Sequence, residues 1–168
     1  YWLAALDPDA PLDAMTLEDW RAALSVRVKL LHSTMRSLYE QIASPDRFLV
    51  AATRLGGQHG YDARGALNPL GGAVSGFAKA FRRERDALVK VVDFDESRKT
   101  AALADALIDE TLHDTGVVEI GLHEGERWTV GLEDLPAQAV ADDAPLGADT
   151  VFAVTGAAGS IVSAIVTD

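Results

Sequence analysis

Hydrophobic residues in this chain fall either in short continuous runs or at spacings of three and four residues. Continuous runs of strand length occupy 48–52 and 88–94, and such runs are typical of strands buried on both faces of a sheet. Between 17 and 42 the apolar residues recur at every third or fourth position, which predicts one long amphipathic helix with a single apolar stripe. Thr16 is its predicted N-cap, and the helix is expected to end before Pro45. If the stripe faced a partner helix instead of its own sheet, its contacts would include Trp20, Met35 and Leu38.

The remaining apolar segments continue this alternation of strands and helices. Helical spacing places Val74, Phe77, Ala78 and Phe81 on the inward face of a second helix. Strands that alternate with helices of this length predict an α/β fold, with a mostly parallel sheet and helices on both faces. The further predicted elements are a strand-like run over 1–6, helices over 69–85 and 100–112, and a strand pair or hairpin over 117–122 and 127–132.

The composition changes after residue 133 to alanine, aspartate, proline and glycine without a hydrophobic period. We interpret 134–149 as a linker, which leaves 1–133 as one α/β unit and 150–168 as the beginning of another. Because the chain starts in an apolar run and stops within a predicted helix, it is expected to be a piece of a longer protein.

A glycine turn follows the apolar run at 151–154 and precedes a predicted helix. A dinucleotide-binding domain begins in this way, because the glycines allow a tight turn and bring the backbone close to the pyrophosphate. Val162 replaces the third glycine of the pattern, which would weaken binding or shift the helix. Only twelve residues follow Gly156, so most contacts to a cofactor would lie downstream. The candidate cofactor-binding residues are Thr155, Gly156, Ala157, Ala158, Gly159, Ser160 and Ile161.

Charge and composition narrow the classes of function. The net charge of −11 argues against nucleic acid and anionic membranes, since both are recognised by basic patches. The absence of cysteine excludes disulfides and thiolate metal sites. No apolar stretch approaches the roughly 20 residues of a membrane span, and no basic region precedes the first apolar run. A cytoplasmic location is therefore expected, with neither a nucleic-acid nor a membrane partner.

Three segments together resemble the second half of a short-chain dehydrogenase. They are Phe-Leu-Val-Ala-Ala-Thr-Arg at 48–54, Gly-Gly-Ala-Val-Ser-Gly-Phe-Ala-Lys-Ala-Phe-Arg-Arg-Glu at 71–84, and Val-Lys-Val-Val-Asp-Phe at 89–94. In that family a tyrosine donates the proton and a lysine four residues later lowers its pKa. The resemblance places these positions on Leu67 and Gly71, the family serine near Thr53 or Arg54, and the family asparagine near Arg27. It therefore implies a truncated Rossmann-like fold whose catalytic residues are lost.

A degenerate dehydrogenase half followed by a new Thr-Gly-x-x-Gly turn resembles the ketoreductase domain of type I polyketide synthases and multifunctional fatty-acid synthases. The resemblance implies that 1–133 is its non-catalytic structural subdomain and that 150–168 begins its catalytic, NADPH-binding subdomain. The parent enzyme would reduce a β-ketoacyl thioester, held on an acyl carrier protein, to the β-hydroxyacyl form. The expected partners are the catalytic subdomain of the same chain and the acyl carrier protein. The alternative is a catalytically dead, dehydrogenase-like assembly module of a multidomain synthase.

Other reactive residue types form no recognised arrangement. Tyr61 and Lys79 are eighteen residues apart, whereas the catalytic pair of the family is separated by four. Asp93, Asp95 and Glu96 close a strand, where they could bind a ligand hydroxyl, but we expect them to cap the next helix and face water. The candidates expected to be structural or solvated are His32, His59, His113 and His123, which lack metal-ligand spacing, and Arg82, Arg83 and Arg85, a basic patch that could contact a carrier protein or a phosphate.

Overall fold

The computed structural model describes residues 1–44, 46–95, 100–113, 116–136, 147–156, 159 and 162–164. The chain divides into two compact units, Tyr1–Leu132 and Glu133–Asp168. The first unit is built on a five-stranded sheet whose strands lie side by side in sequence order. They are β1 (Trp2–Ala5), β2 (Phe48–Thr53), β3 (Leu88–Phe94), β4 (Glu119–His123) and β5 (Glu126–Thr129).

The sheet is parallel from β1 to β4, and β5 returns antiparallel to β4. Glu124 and Gly125 make that return with φ angles of 52° and 81°, so the hairpin alternative predicted for this region is confirmed. Helices connect β1 to β2, β2 to β3 and β3 to β4, as parallel neighbours require. The prediction of an α/β fold with a mostly parallel sheet flanked by helices is confirmed, and the architecture is compatible with a Rossmann-like fold.

Helices cover the two faces of this sheet unequally, and each face has its own hydrophobic core. The helical elements are α1 (Leu17–Leu24), a π-helical segment (Ser25–Lys29), α2 (Leu30–Ser37), α3 (Leu70–Glu84) and α4 (Thr100–Leu112). One core lies beneath α2 and α3 and includes Leu31, Met35, Val74, Ala78, Phe81 and Val91. The other lies beneath α4 and includes Val50, Ala52, Val92, Phe94, Leu103 and Leu107.

The capping box at the start of α1 confirms Thr16 as the N-cap. The Asp19 backbone N–H donates to the Thr16 hydroxyl at 3.1 Å, and the Thr16 backbone N–H donates to the Asp19 carboxylate at 3.1 Å. These bonds satisfy two backbone donors that a helix start otherwise leaves unpaired. Hydrogen bonds from the Thr16 side chain and backbone also lower the pKa of Asp19.

The single helix predicted over 17–42 is interrupted and shorter. The π-helical segment separates α1 from α2, and α2 ends at Ser37. A π turn inserts an additional residue into a helical turn, so the apolar stripe does not keep one face. Leu17 is consequently 63% exposed, whereas Leu31 and Met35 are buried against the chain's own sheet.

The second unit is described at 133–136, 147–156, 159 and 162–164; most of the predicted linker, 137–146, lies outside the described residues. The buried strand predicted at 151–154 does not form, and Val151 is 93% exposed. A strand needs neighbouring backbone to satisfy its N–H and C=O groups, and the described part of this unit contains no other strand. The assignment of 150–168 to a second subdomain stays a prediction.

Candidate functional site

The carboxyl ends of the central strands are where open α/β sheets bind ligands, and here that edge is organised by Asp93. This residue, near the end of β3, is fully buried. It accepts four hydrogen bonds from the end of β2 and the loop that follows. The donors are the Thr53 hydroxyl at 2.7 Å and the backbone N–H groups of Leu55 at 2.6 Å, Gly57 at 2.7 Å and His59 at 2.9 Å.

These four bonds decide what Asp93 can do. A carboxylate has about four lone-pair positions, and each oxygen of Asp93 already accepts two donors. The expectation that Asp93 caps the next helix and faces water is therefore wrong. Its oxygens are also unavailable to a ligand hydroxyl, because donors from the end of β2 and the following loop already occupy their lone-pair positions. Glu96, predicted to act with it, lies outside the described residues.

The loop after β2 is held tightly against the sheet edge. His59 has a φ of 55°, a left-handed conformation that costs non-glycine residues energy unless the surroundings impose it. A Cβ at Gly57 would lie 2.4 Å from the carbonyl oxygen of Leu122, and one at Gly121 would lie 2.1 Å from the carbonyl oxygen of Gly57. The loop backbone is thus packed directly on β4.

The positions that the resemblance assigns to the catalytic pair hold packing residues. Leu67 lies in the loop before α3, where its N–H donates to the Leu55 carbonyl at 3.1 Å. Gly71 is buried in the first turn of α3, and a Cβ there would lie 3.1 Å from the Leu55 side chain and 3.2 Å from that of Thr53. Neither side chain has an ionisable group, so neither can transfer a proton.

Arg27, at the position assigned to the family asparagine, is buried by the π-helical segment and paired. Its guanidinium lies 2.6 Å from the Asp9 carboxylate and donates to the Asp7 carbonyl at 3.0 Å. The Trp2 indole donates to the Arg27 carbonyl at 3.1 Å. Burial raises the pKa of Asp9, and the charge of Arg27 opposes that rise only in part. Arg27 therefore makes structural contacts through two guanidinium nitrogens and its carbonyl oxygen.

In the second unit, the described residues of the predicted glycine turn are Thr155, Gly156 and Gly159. Gly156 has a φ of 74°, which favours glycine, and the Gly159 N–H donates to the Gly156 carbonyl at 2.8 Å. Residues 162–164 are helical, and the Ser163 N–H donates to the Gly159 carbonyl at 2.9 Å. The candidates Ala157, Ala158, Ser160 and Ile161 lie outside the described residues. Thr155, Gly156 and Gly159 are thus compatible with the tight turn that a pyrophosphate site requires.

Most of the weaker candidates lie apart, but His59 and Tyr61 line one pocket of about 400 Å³ together with Trp128. Lys79 forms an ion pair with Glu119 at 3.0 Å, and Tyr61 is 76% exposed. Arg85 pairs with Glu40 and lies 3.3 Å from the centre of the Tyr39 ring, so the basic patch is partly neutralised. Within the described ranges, no three His, Asp or Glu side chains are grouped to hold a metal ion.

Sequence reasoning missed an ion cluster on the α4 face, in which Lys90 and Glu110 are buried and Arg127 is exposed. Glu110 of α4 lies 3.3 Å from the Lys90 ammonium of β3 and 2.6 Å from the Arg127 guanidinium of β5. Burial by itself raises the pKa of Glu110, but hydrogen bonds and charges from Arg127 and then Lys90 outweigh it, so that pKa lies below its ordinary value. The signal in the sequence is Lys90 itself, a charged residue inside a continuous apolar strand. The cluster joins three elements.

Comparison with known proteins adds no relative to this picture. No family model matches the chain, and no curated protein or solved structure matches it. Among the described helices, none combines the length and the apolar character that crossing a membrane would require.

Proposed function

We propose that this chain is the structural half of a ketoreductase, followed by the first residues of its catalytic half. The observation that carries the proposal is the closed sheet edge, where Asp93 binds the chain's own loop. Leu67 and Gly71 occupy the positions of the proton donor and its lysine in the family that the sequence resembles. A dehydrogenase-like sheet whose central strand ends are covered by its own loop supplies a surface for another domain to pack on, rather than a reaction site.

The turn at 155–161 would hold the pyrophosphate of NADPH in the parent protein. Bound NADPH would supply the hydride that reduces a β-ketoacyl thioester to the β-hydroxyacyl form. The contribution of this chain would be backbone N–H groups at the start of the helix that includes 162–164, which suit an anion. The acyl carrier protein would present the substrate to the catalytic half.

A second candidate function is a catalytically dead assembly module. Two observations favour it: Val162 stands where the third glycine is expected, and 151–154 do not form the strand that a dinucleotide-binding unit needs. Under this alternative the glycine turn is a structural turn without a ligand. The two functions differ in whether the longer protein binds and oxidises NADPH.

The deciding experiment compares this chain with the same chain extended by one further domain. NADPH oxidation is followed with a β-ketoacyl thioester surrogate, and NADPH binding is measured separately by fluorescence. We expect activity and binding in the extended protein and neither in the 168-residue chain. A matched Gly156→Val variant of the extended protein should lose NADPH binding, because a β-branched side chain resists a positive φ.

Two results would contradict the proposal. Activity of the 168-residue chain alone would show that the closed edge is not inert. An extended protein that neither binds nor oxidises NADPH would support the assembly module instead. A structural role also requires that the downstream domain lose solubility when 1–133 are deleted.

A further inference from the structure

A pocket of about 400 Å³ lies between the loop after β2 and strand β5, at one edge of the sheet. Its volume falls within the roughly 300–1,000 Å³ that is usual for small-molecule sites. One wall is formed by Gln58, His59 and Tyr61 of the loop, and the other by residues 128–132 of β5 and the segment directly after it. All of these residues belong to the first unit.

The loop wall of this pocket is held in place by the chain itself. The backbone N–H groups of Gly57 and His59 donate to the buried Asp93 carboxylate at 2.7 and 2.9 Å. The Tyr61 N–H donates to the Gln58 carbonyl at 3.0 Å and closes a turn. Because ordering a loop is one of the costs of binding, a wall that is already ordered favours the binding of a ligand.

His59 combines a strained backbone with a side chain that makes no hydrogen bond. Its φ is 55°. Both ring nitrogens are shielded from solvent and have no hydrogen-bond partner among the described residues. Residues held in sparsely populated conformations cluster at ligand-binding sites. Because the shielded nitrogens cannot reach a ligand in this conformation, the imidazole contributes ring surface to the wall rather than a hydrogen bond.

The aromatic side chains of the pocket are available for stacking. Tyr61 is 76% exposed and Trp128 is 42% exposed. In the part of the chain that the structure describes, neither ring contacts another aromatic ring. Aromatic rings attract one another in offset or edge-to-face arrangements beyond the effect of burial alone. A flat aromatic ligand is therefore the shape that these side chains favour.

The polar groups of the pocket are mainly donors, and they carry no formal charge. The Trp128 indole N–H can only donate, and the Gln58 amide has two donor hydrogens and one acceptor oxygen. Neither side chain makes a hydrogen bond within the described residues. No Asp, Glu, Lys or Arg lines the pocket, so a charged ligand would find no opposite charge to offset its desolvation. The pocket thus suits an uncharged ligand whose edge carries acceptors.

We propose that this pocket binds an uncharged, planar heteroaromatic compound with carbonyl or ring-nitrogen acceptors on its edge. The ring of the ligand stacks on Tyr61, and its acceptors receive hydrogen bonds from the Trp128 indole and the Gln58 amide. The inference does not depend on the proposed function, because the pocket contains none of the glycine-turn residues.

Nuclear magnetic resonance of the 168-residue chain tests the pocket with caffeine as the probe. Caffeine is uncharged and planar, and it has carbonyl and ring-nitrogen acceptors but no N–H or O–H donor. The chain has three tryptophans, and single Trp→Phe variants assign their indole N–H signals. The Trp128 signal should move downfield and saturate with a dissociation constant of about 1 mM, as a ligand of this size allows. Trp2, which already donates to Arg27, and Trp20 of α1 should not respond.

Variants of the two walls separate stacking from hydrogen bonding. Tyr61→Ala removes the stacking surface and should weaken caffeine binding at least about fivefold, whereas Tyr61→Phe keeps the ring and should bind like the wild type. Trp128→Phe removes the indole donor and should weaken binding by about 2–12-fold, followed through the backbone signals of the loop. The matched control Trp20→Phe should leave binding unchanged. Each variant's urea unfolding curve confirms that it is folded.

Three results would overturn the proposal. The first is a Trp128 signal that does not move up to the solubility limit of caffeine. The second is an equal response of all three indole signals, which would show unspecific contact. The third is equally tight binding of indole, which is planar and uncharged but carries only a donor, because the pocket would then not select for acceptors.

Discussion

At the scale of single residues, Asp93 determines the shape of the sheet edge. Replacing it with alanine leaves one hydroxyl and three backbone N–H groups without the acceptor that holds them. Because unpaired buried donors are costly, we expect Asp93→Ala to lower the free energy of unfolding by about 3–5 kcal/mol. Urea denaturation measures this loss.

Two companion variants test whether the loss of stability is specific to the Asp93 carboxylate. Thr53→Val removes one of the four donors and should cost about 1.5–3 kcal/mol, the net value of a hydrogen bond to a charged group. Asp86→Ala removes a carboxylate whose side chain is fully exposed and should change stability by less than about 0.5 kcal/mol. If Asp93→Ala were as mild as Asp86→Ala, the loop would be held by other contacts.

Arg27 and Asp9 form an ion pair. Replacing one partner should destabilise the fold strongly, whereas replacing both should destabilise it less. Their side chains are only 9% and 4% exposed. Asp9→Ala leaves a buried guanidinium without its carboxylate and should cost about 3–5 kcal/mol. Adding Arg27→Met removes that stranded charge, so the double variant should be more stable than Asp9→Ala alone. A double-mutant cycle by urea denaturation measures the coupling; strictly additive effects would show that the pair is energetically independent.

At the scale of elements, Glu110 connects α4 to β3 and β5. Its pKa in the folded chain lies below the ordinary value of 4.5. A carboxylate with a depressed folded pKa contributes stability that is fully present above its unfolded pKa and is lost as the pH falls through the folded one. The free energy of unfolding of the wild type should therefore exceed that of Glu110→Gln by about 1.5–3 kcal/mol at pH 7. This difference in stability should shrink below pH 4.5.

Denaturation series at several pH values distinguish this cluster from general acid sensitivity. Glu18→Gln is the control, because Glu18 is an exposed residue of the first turn of α1. The Glu18→Gln variant should have the stability of the wild type to within about 0.5 kcal/mol, as is usual for exposed positions. A Glu110→Gln variant with the wild-type profile would mean that Glu110 is protonated equally in the folded and unfolded chain.

The elements of the fold were largely predictable because burial leaves a periodic trace in the sequence. The runs at 48–52 and 88–94 correspond to β2 and β3 within one residue, and the helix predicted over 100–112 has the bounds of α4. Periodicity could not reveal the π-helical segment, since apolar residues at three- and four-residue spacings predict a regular helix and do not show where one turn contains an additional residue. It therefore assigned Leu17 to the buried stripe.

The organisation of the site could not be predicted because it depends on partners distant in sequence. Asp93 binds a loop that lies 34–40 residues earlier, and Arg27 pairs with Asp9 only because the π-helical segment turns it inward. A charged residue beside an apolar run indicates that a partner exists, but not which one. The resemblance assigned Leu67 and Gly71 to the catalytic positions of the family. How these two residues pack is visible only in the structure.

At the scale of the whole molecule, both hydrophobic cores are built within Tyr1–Leu132. The free energy of unfolding of a chain shortened to 1–132 should therefore lie within about 0.5 kcal/mol of that of the full chain. A difference of this size is usual for changes that remove no core contact. Urea denaturation compares the two chains. Leu107→Ala empties a core position beneath α4 and should lower the free energy of unfolding by about 2–5 kcal/mol in either chain. The two losses should agree within roughly 0.5 kcal/mol, as expected of independent sites. A shortened chain that is several kcal/mol less stable would show that 133–168 contribute to the same cooperative unit.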